Sequence, residues 1–336
     1  MLFRSWLVRH HAPTVGVTER LESPTVDWHA MNATAPRNAP RIAAAPITWG
    51  VCEIPNWGEV PGVDEVLDQI AAVGFTGTEL GPDGFLPGDA DGLKRVLGAR
   101  GLDLVGAYCP LDYRDAGSAA ASHAFGVDLA VRLAANGCHI LVAADSGDAR
   151  RGAVAGRVGP QDGLDADQWA RLADGLAELA RACAPLGVQV AFHPHAGTYV
   201  ETEAEIDELM ARTPADLVGL CIDTGHVAYG GGDAVAVARR HASRIRHVHI
   251  KDASGAMLAE VRATDLAYPE AVGRGAFVPV GDGVVDFAGL AAVLDGVGYD
   301  GWYVLEHDIR RGAPWPDQDP QANAAQSRDR LRAFLA

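Results

Sequence analysis

Histidine and acidic residues recur at the ends of strand-like segments across the second half of this 336-residue chain. Two histidine pairs have a spacing of two, in FHPH and in HVHIKD. Because side chains alternate along a strand, the members of a pair point to one face. Imidazoles and carboxylates that converge bind divalent metals, so the pattern indicates a metal-dependent enzyme. The residues concerned are His193, His195, Asp223, His226, His247, His249 and Glu306.

These residues need a scaffold that gathers strand ends, and the chain from Arg41 onward predicts one. Eight strand-like runs alternate with amphipathic segments, and a glycine stands shortly before several strands. Eight β/α units over roughly 300 residues match a (β/α)8 barrel. A doubly wound sheet is the competing topology, but no Gly-rich phosphate loop follows the first strand. We therefore predict an α/β fold, a single-domain (β/α)8 TIM barrel over residues 41–336.

The first forty residues differ from the rest. Residues 1–40 show no sustained hydrophobic period, and their apolar pieces are shorter than the ~7–15 residues of a signal sequence. The prediction is a disordered N-terminal extension, or the product of a misplaced start with Met31 as a second candidate. No chemistry is assigned to it.

Composition excludes several classes of partner. The formal net charge of −16 disfavours binding to nucleic acid, which requires clustered Lys and Arg. No run approaches the ~18 apolar residues of a membrane span. Five cysteines without C-x-x-C spacing are typical of reduced thiols, which predicts a cytoplasmic protein.

Two connections are unusually long. Residues 145–165 are rich in Gly and Arg, and residues 253–286 contain VPVGDGVVDF. Both follow the carboxyl ends of predicted strands, where barrel active sites lie. They are predicted to be lids or binding loops, and solvated insertions are the alternative.

Other residues near the strand ends are candidates for contact with substrate. Glu79 and Lys251 are candidate proton carriers, although each has an ordinary ion pair as its alternative role. The alternative role of Asp223 is to cap the N-terminus of the next helix. Aromatic side chains are predicted to line a sugar pocket, with core packing as the alternative. The predicted substrate-binding residues are Trp49, Trp57, Phe85, Tyr229 and Asp252.

An ordered set of motifs gives the barrel a family resemblance. TGTELGPDGFLP, FHPHAGTYVET, CIDTGHVAYGGGD, RIRHVHIKD, GDGVVDF and GYDGWYVLEHD follow one another along the chain. In this order they resemble the xylose isomerase-like barrels of sugar isomerases and epimerases, and within them most closely the inosose dehydratases. The resemblance covers nearly all of residues 41–336.

The resemblance implies a metal site. The superfamily uses a Glu after strand five, an Asp after strand six, a His from strand seven and a Glu after strand eight. Asp223, His249 and Glu306 match the last three, and His193 replaces the first Glu. A neutral ligand in place of an anion favours Mn or Co, with Zn, Fe or Mg as alternatives. Whether His193 or His195 is the ligand stays open at this stage.

The implied reaction is loss of water from 2-keto-myo-inositol to give a cyclic 1,2-diketone, as in inositol catabolism. A divalent ion would stabilise an enediolate, and His195, His226, Glu79 or Lys251 would carry protons. The alternatives are a sugar or inosose isomerase or epimerase, a metal-free polyol-binding barrel and, disfavoured by charge, a DNA endonuclease. Glutathione is implied as a cofactor by resemblance only, and a homo-oligomer is expected from the barrel type.

Overall fold

The computed structural model describes residues 39–54 and 56–336, and in them eight parallel strands close into a barrel. The predicted fold class is confirmed. The predicted N-terminal extension lies outside the described residues, except for Ala39 and Pro40. The barrel strands are β1 (Arg41–Ala44), β2 (Gly77–Glu79), β3 (Asp103–Leu111), β4 (Ile140–Asp145), β5 (Gln189–Phe192), β6 (Val218–Asp223), β7 (Ile245–Ile250) and β10 (Trp302–Leu305).

Closure of the barrel joins β1 to β10, so neighbouring strands run parallel all the way round. A separate antiparallel pair, β8 (Asp252–Ala253) and β9 (Phe277–Val278), lies outside the barrel. The helices are α1 (Val63–Val73), α2 (Ala90–Gly98), α3 (Ala119–Ala135), α4 (Ala149–Ala153), α5 (Ala166–Cys183), α6 (Glu203–Arg212), α7 (Thr224–Tyr229), α8 (Ala234–Arg240), α9 (Gly255–Ala263), α10 (Tyr268–Gly273), α11 (Phe287–Gly296) and α12 (Pro320–Phe334).

Local sequence signals explain where the helices begin and end. Helix α5 begins with a capping box, in which the Asp165 side chain accepts from the Gln168 N–H and the Gln168 side chain accepts in return. Helix α1 ends at Gly74, which has a φ of 92° and satisfies two carbonyls of the last turn. The apolar stripe of α5 then packs against the barrel through Leu172, Leu176 and Leu179.

The hydrophobic side chains form a main core and a smaller cluster. The main core lies between the barrel strands and the surrounding helices. The second cluster, which we call the roof cluster, contains Trp57, Tyr229, Leu258, Tyr268 and Phe277. It joins the long connection after β7 to helix α7, beside the carboxyl ends of the strands.

The first strand is shorter than its sequence suggests. RIAAAPITWG reads as one strand, but β1 ends at Ala44 and a 3-10 turn spans Pro46–Trp49. Proline fixes its own φ and favours the first turn of a helix. As a result Trp49 turns into the main core, where it is fully buried and donates to Gln69 Oε1 at 2.7 Å. Trp49 is therefore a core residue and does not belong to the predicted pocket wall.

Both long connections contain regular structure. Residues 145–165 include α4 and a 3-10 turn, and residues 253–286 include α9, α10 and strand β9. Within the described residues, no helix has the length and apolar character required to span a membrane.

Glu201 fastens the first of these connections to the loop after β5. Its Oε1 accepts from the Gly156 N–H and its Oε2 accepts from the Gly197 N–H, each at 2.6 Å. The side chain is buried, and this burial raises the pKa of Glu201 to about 6. Because the unfolded value is near 4.5, the folded protein holds this proton more tightly than the unfolded chain.

This difference predicts a pH dependence of stability. As the pH rises from about 4.5 to about 6, the native protein should lose about 2 kcal/mol of unfolding free energy relative to Glu201→Gln. Denaturant unfolding of both proteins across this range measures the change. Glu178→Gln, at an exposed position of α5, is the matched control. Parallel stability curves for native protein and Glu201→Gln would contradict the prediction.

Candidate active site

Four side chains converge at the carboxyl ends of the strands. The ligand-type atoms of His193, Asp223, His249 and Glu306 all lie within 4.8 Å of one another. We call these four residues the metal-site cluster. They are the four that the sequence analysis proposed as ligands. All are buried except Glu306, whose side chain is 12% exposed.

The barrel itself brings these four residues together. His193 comes directly after β5, Asp223 is the last residue of β6, His249 belongs to β7 and Glu306 follows β10. In the sheet, Asp223 lies opposite His249, and Val304 of β10 lies opposite His249 on its other side. The cluster is therefore held by backbone register on rigid strands.

Asp223 fulfils both of the roles that the sequence left open. Its Oδ1 accepts from the His226 N–H at 2.8 Å and so caps α7. Its Oδ2 has no hydrogen-bond partner among the described residues and faces His193 Nε2 at 3.4 Å. One oxygen therefore caps the helix, and the other faces the interior of the metal-site cluster.

The cluster has the donor atoms that a divalent cation requires. His193 Nε2, Asp223 Oδ2 and His249 Nδ1 are buried and lack hydrogen-bond partners within the described part of the chain. Such atoms are normally satisfied, and leaving them unpaired costs free energy. Two imidazoles and two carboxylates make a nitrogen–oxygen set that suits Mn, Co, Zn or Fe. The residues present therefore fit a divalent metal.

Lys251 supplies positive charge beside this cluster. Its Nζ lies 3.3 Å from Asp223 Oδ2, 3.0 Å from Glu306 Oε2 and 2.9 Å from Asp308 Oδ1. Burial by itself lowers the pKa of Lys251, but the three carboxylates outweigh burial and raise the pKa above its ordinary value. The ammonium is thus ionised, almost fully buried and surrounded by acids.

His195 and His226 stack beside the cluster with ring centroids 3.7 Å apart. Burial, followed by the charge of His193, lowers the pKa of His195 to about 3, and burial lowers the pKa of His226 well below its usual value. Both imidazoles are therefore neutral near pH 7. His195 Nδ1 lies 2.8 Å from the Ala196 carbonyl oxygen, which can only accept. The hydrogen of His195 is consequently on Nδ1, and Nε2 is free to accept a proton.

Glu79 and His247 lie deeper in the barrel. Glu79 Oε1 accepts from His247 Nε2 at 2.9 Å and from His249 Nε2 at 3.0 Å. Although burial alone raises the pKa of Glu79, His249 and His247 lower it to about 2. Glu79 is therefore ionised, and it contacts the side of His249 that faces away from Glu306.

The predicted substrate-binding residues do not all reach the cluster. Both oxygens of Asp252 accept backbone N–H groups, from Gly281, Gly283, Ala253 and Val285. This side chain organises the loop after β9, so the prediction that Asp252 binds substrate is corrected.

The remaining three aromatic residues divide between the roof cluster and the main core. Tyr229 is fully buried in the roof cluster. Trp57 is also buried there, and its indole N–H donates to the Ile309 carbonyl at 2.8 Å. Phe85 is half-buried and packs against the main core. Contact of these residues with substrate stays a prediction.

Three residues that were not among the sequence candidates also lie beside the site. Asp308 binds Lys251 and accepts from the Tyr268 hydroxyl at 3.1 Å. Tyr108 of β3 is half-buried, with its ring 6.2 Å from His193 and 6.4 Å from His195. Glu306 and Asp308 are two residues apart, like the histidines of each His-x-His pair. The sequence therefore contained a pattern that could have indicated Asp308. Tyr268 had none, because it lies in the long connection.

Comparisons with known proteins show the family to which this barrel belongs. A family model described as xylose isomerase-like TIM barrel matches residues 67–334. The rhizopine catabolism protein MocC of Rhizobium meliloti is 38% identical over 266 residues, which cover 79% of this chain and 81% of that protein. An inosose dehydratase of Erwinia tasmaniensis is 33% identical over 284 residues, which cover 83% of this chain and 94% of that protein.

Solved structures share the fold at lower identity. The structure of the IolI protein with a bound zinc atom is similar with a TM-score of 0.66 and 14% identity. The match covers 88% of this chain and 98% of the IolI chain. At this identity the likeness concerns the fold alone.

Proposed function

Because the chain belongs to the xylose isomerase-like TIM barrel family, as an inosose dehydratase-like member, we propose that it is a hydro-lyase acting on a keto-inositol. The observation that carries the proposal is the metal-site cluster beside two neutral imidazoles and a charged lysine. The reaction removes one water from 2-keto-myo-inositol and gives a cyclic 1,2-diketone.

His193, Asp223, His249 and Glu306 would hold the divalent ion. When bound there, such an ion would supply positive charge that stabilises a developing negative charge on a ketone oxygen. His193 Nε2, Asp223 Oδ2 and His249 Nδ1, which make no hydrogen bond among the described residues, support this assignment. All other steps require groups of the chain itself.

We assign proton abstraction to His195. Its Nε2 is free to accept, because Nδ1 is engaged with the Ala196 carbonyl. The side chain is half-buried, whereas His226 is fully buried behind it. The depressed pKa of His195 keeps the imidazole in the basic form at neutral pH.

Lys251 is the proposed acid. Its ammonium can donate a proton to the hydroxyl on the β carbon, which then leaves as water. The α C–H bond and the β C–O bond break, a carbon–carbon double bond forms, and the resulting enol rearranges to the diketone. His226 Nε2 lies 2.9 Å from Lys251 Nζ and connects the lysine to the stacked His195.

Metal-reconstituted activity tests the proposal. The protein is stripped with a chelator, and Mn, Co, Zn or Mg is restored separately, with and without glutathione. We expect metal-dependent loss of one water from 2-keto-myo-inositol, and mass spectrometry measures this loss. The chelated protein alone should show at least about a hundredfold lower rate, since a metal ion contributes several kcal/mol.

Two other results would change the assignment. Exchange of the substrate α-hydrogen with heavy water, without loss of water, would indicate an epimerase or isomerase on the same barrel. A protein that neither binds a divalent metal nor turns over any inosose or ketohexose would contradict the proposed function and leave a polyol-binding barrel.

A further inference from the structure

Glu79 lies one layer below the metal-site cluster, at the end of β2. It is 3% exposed, and its Oε1 contacts both His247 and His249. We infer that Glu79 is a positioning residue, which fixes the ring of His249 so that Nδ1 points into the cluster. The inference rests on the proposed metal function and gives Glu79 a role other than proton transfer to substrate.

The chemistry of the carboxylate determines which nitrogen of each ring carries hydrogen. Both Nε2 atoms lie within 3.0 Å of the same carboxylate oxygen, which is the geometry of two N–H groups that donate to Glu79 Oε1. When His249 binds a metal, a hydrogen on Nε2 leaves the lone pair of Nδ1 for the ion. A metal-bound histidine is commonly held in this way by a carboxylate on its other nitrogen.

The other side of the ring faces two more acids. His249 Nδ1 lies 3.3 Å from Glu306 Oε2 and 3.8 Å from Asp223 Oδ2. A divalent ion held between these three atoms would be bound by the imidazole nitrogen and by both carboxylates. Glu79 thus sets the orientation of His249, and the orientation sets the donor atom offered to the cluster.

The neighbouring strand makes room for this contact. Gly106 of β3 lies opposite Glu79 in the sheet. A Cβ at this position would come 2.7 Å from Glu79 Oε1 and 3.3 Å from His247 Nε2. A side chain at residue 106 would therefore displace the carboxylate from the two imidazoles. The contact of Glu79 Oε1 with both imidazoles therefore requires glycine at residue 106.

Substitutions at Glu79 separate positioning from proton transfer. Glu79→Ala removes the acceptor, and we expect its dissociation constants for Mn and Zn to rise about 10- to 100-fold. Glu79→Gln keeps a carbonyl oxygen that can accept from both rings, so its affinity should fall less than about tenfold. Chelator competition measures the affinities. At saturating metal, Glu79→Gln should retain turnover within about tenfold of the native rate.

A spectroscopic readout is independent of metal and of activity. In 15N-labelled metal-free protein, His249 should show a hydrogen-bonded Nε2–H, which Glu79→Ala abolishes and Glu79→Gln retains. Glu201→Gln is the same change at another buried glutamate and should leave the His249 resonance unaltered. It tests whether a buried Glu→Gln substitution by itself disturbs this resonance.

The outcomes distinguish this inference from the proposed function. Absence of the Nε2–H resonance in native protein, or metal affinity of Glu79→Ala within about twofold of native, would overturn the positioning role. If Glu79→Gln eliminates turnover while metal affinity is unchanged, Glu79 carries protons instead. A native protein that binds no metal but shows the Glu79-dependent resonance refutes the proposed function and leaves the orientation of His249 established.

Discussion

Replacement of Lys251 by methionine should eliminate turnover and destabilise the metal-free protein by about 3–5 kcal/mol. The lysine is 1% exposed and lies within 3.3 Å of carboxylate oxygens of Asp223, Glu306 and Asp308. Methionine fills a similar volume but removes the one ammonium group that contacts all three buried acids. Chemical unfolding in the presence of chelator measures the stability, and the water-loss assay measures turnover.

The chain offers a matched control for this substitution. Its only other lysine is Lys94, which is exposed on α2. Lys94→Met should change unfolding free energy by less than about 0.5 kcal/mol and leave turnover intact. The cost of Lys251→Met should also shrink on acidification, because protonation removes the charges of the unpaired acids. A Lys251→Met protein as stable as the native one at neutral pH would show that these carboxylates do not depend on the lysine.

The sequence was informative where one periodic signal determines position. Alternation within HVHIKD places His247 and His249 on one face, and the β/α succession requires consecutive strands to run parallel around a barrel. Together these rules predicted the fold and seven candidate ligands, and the family resemblance then implied the four residues that the structure brings within 4.8 Å of one another. Register, which places Asp223 opposite His249, follows from closure of the barrel.

Side chains whose environment depends on loops were less predictable. Trp49 follows a strand in the sequence, yet the turn that begins at Pro46 directs it into the main core. Asp252 adjoins the catalytic candidate Lys251, yet four backbone N–H groups of its own loop region saturate it. No periodic pattern specifies where a connection of more than thirty residues will place a residue such as Tyr268.

The two roles of Asp223 also could not be separated from sequence. Aspartate before a turn is a common N-cap, and aspartate at a strand end is a common ligand. A carboxylate has two oxygens, and the structure uses one for the His226 N–H while the other faces His193. The sequence posed these roles as alternatives, whereas the geometry allows both at once.

This division of the two oxygens makes Asp223→Asn a selective substitution. The amide oxygen can still cap α7, so the fold should be retained, but the anionic ligand is lost. We expect metal affinity to fall by at least about a hundredfold and turnover by about a thousandfold, which corresponds to roughly 4 kcal/mol. Chelator competition and the water-loss assay at saturating metal measure the two effects, and circular dichroism verifies the fold.

Asp145→Asn provides the contrasting control. Asp145 is also a fully buried aspartate at a strand end, but its carboxylate is paired with Arg114 and accepts from the Tyr199 N–H. Loss of that charge removes the closest of three carboxylates around the buried Arg114 guanidinium, so stability should fall by about 1–3 kcal/mol while metal affinity stays unchanged. Asp223→Asn should thus lower metal affinity with the fold retained, whereas Asp145→Asn should lower stability with metal affinity retained. If Asp223→Asn binds metal as tightly as the native protein, Asp223 is a helix cap only, and the metal-site cluster loses its central anion.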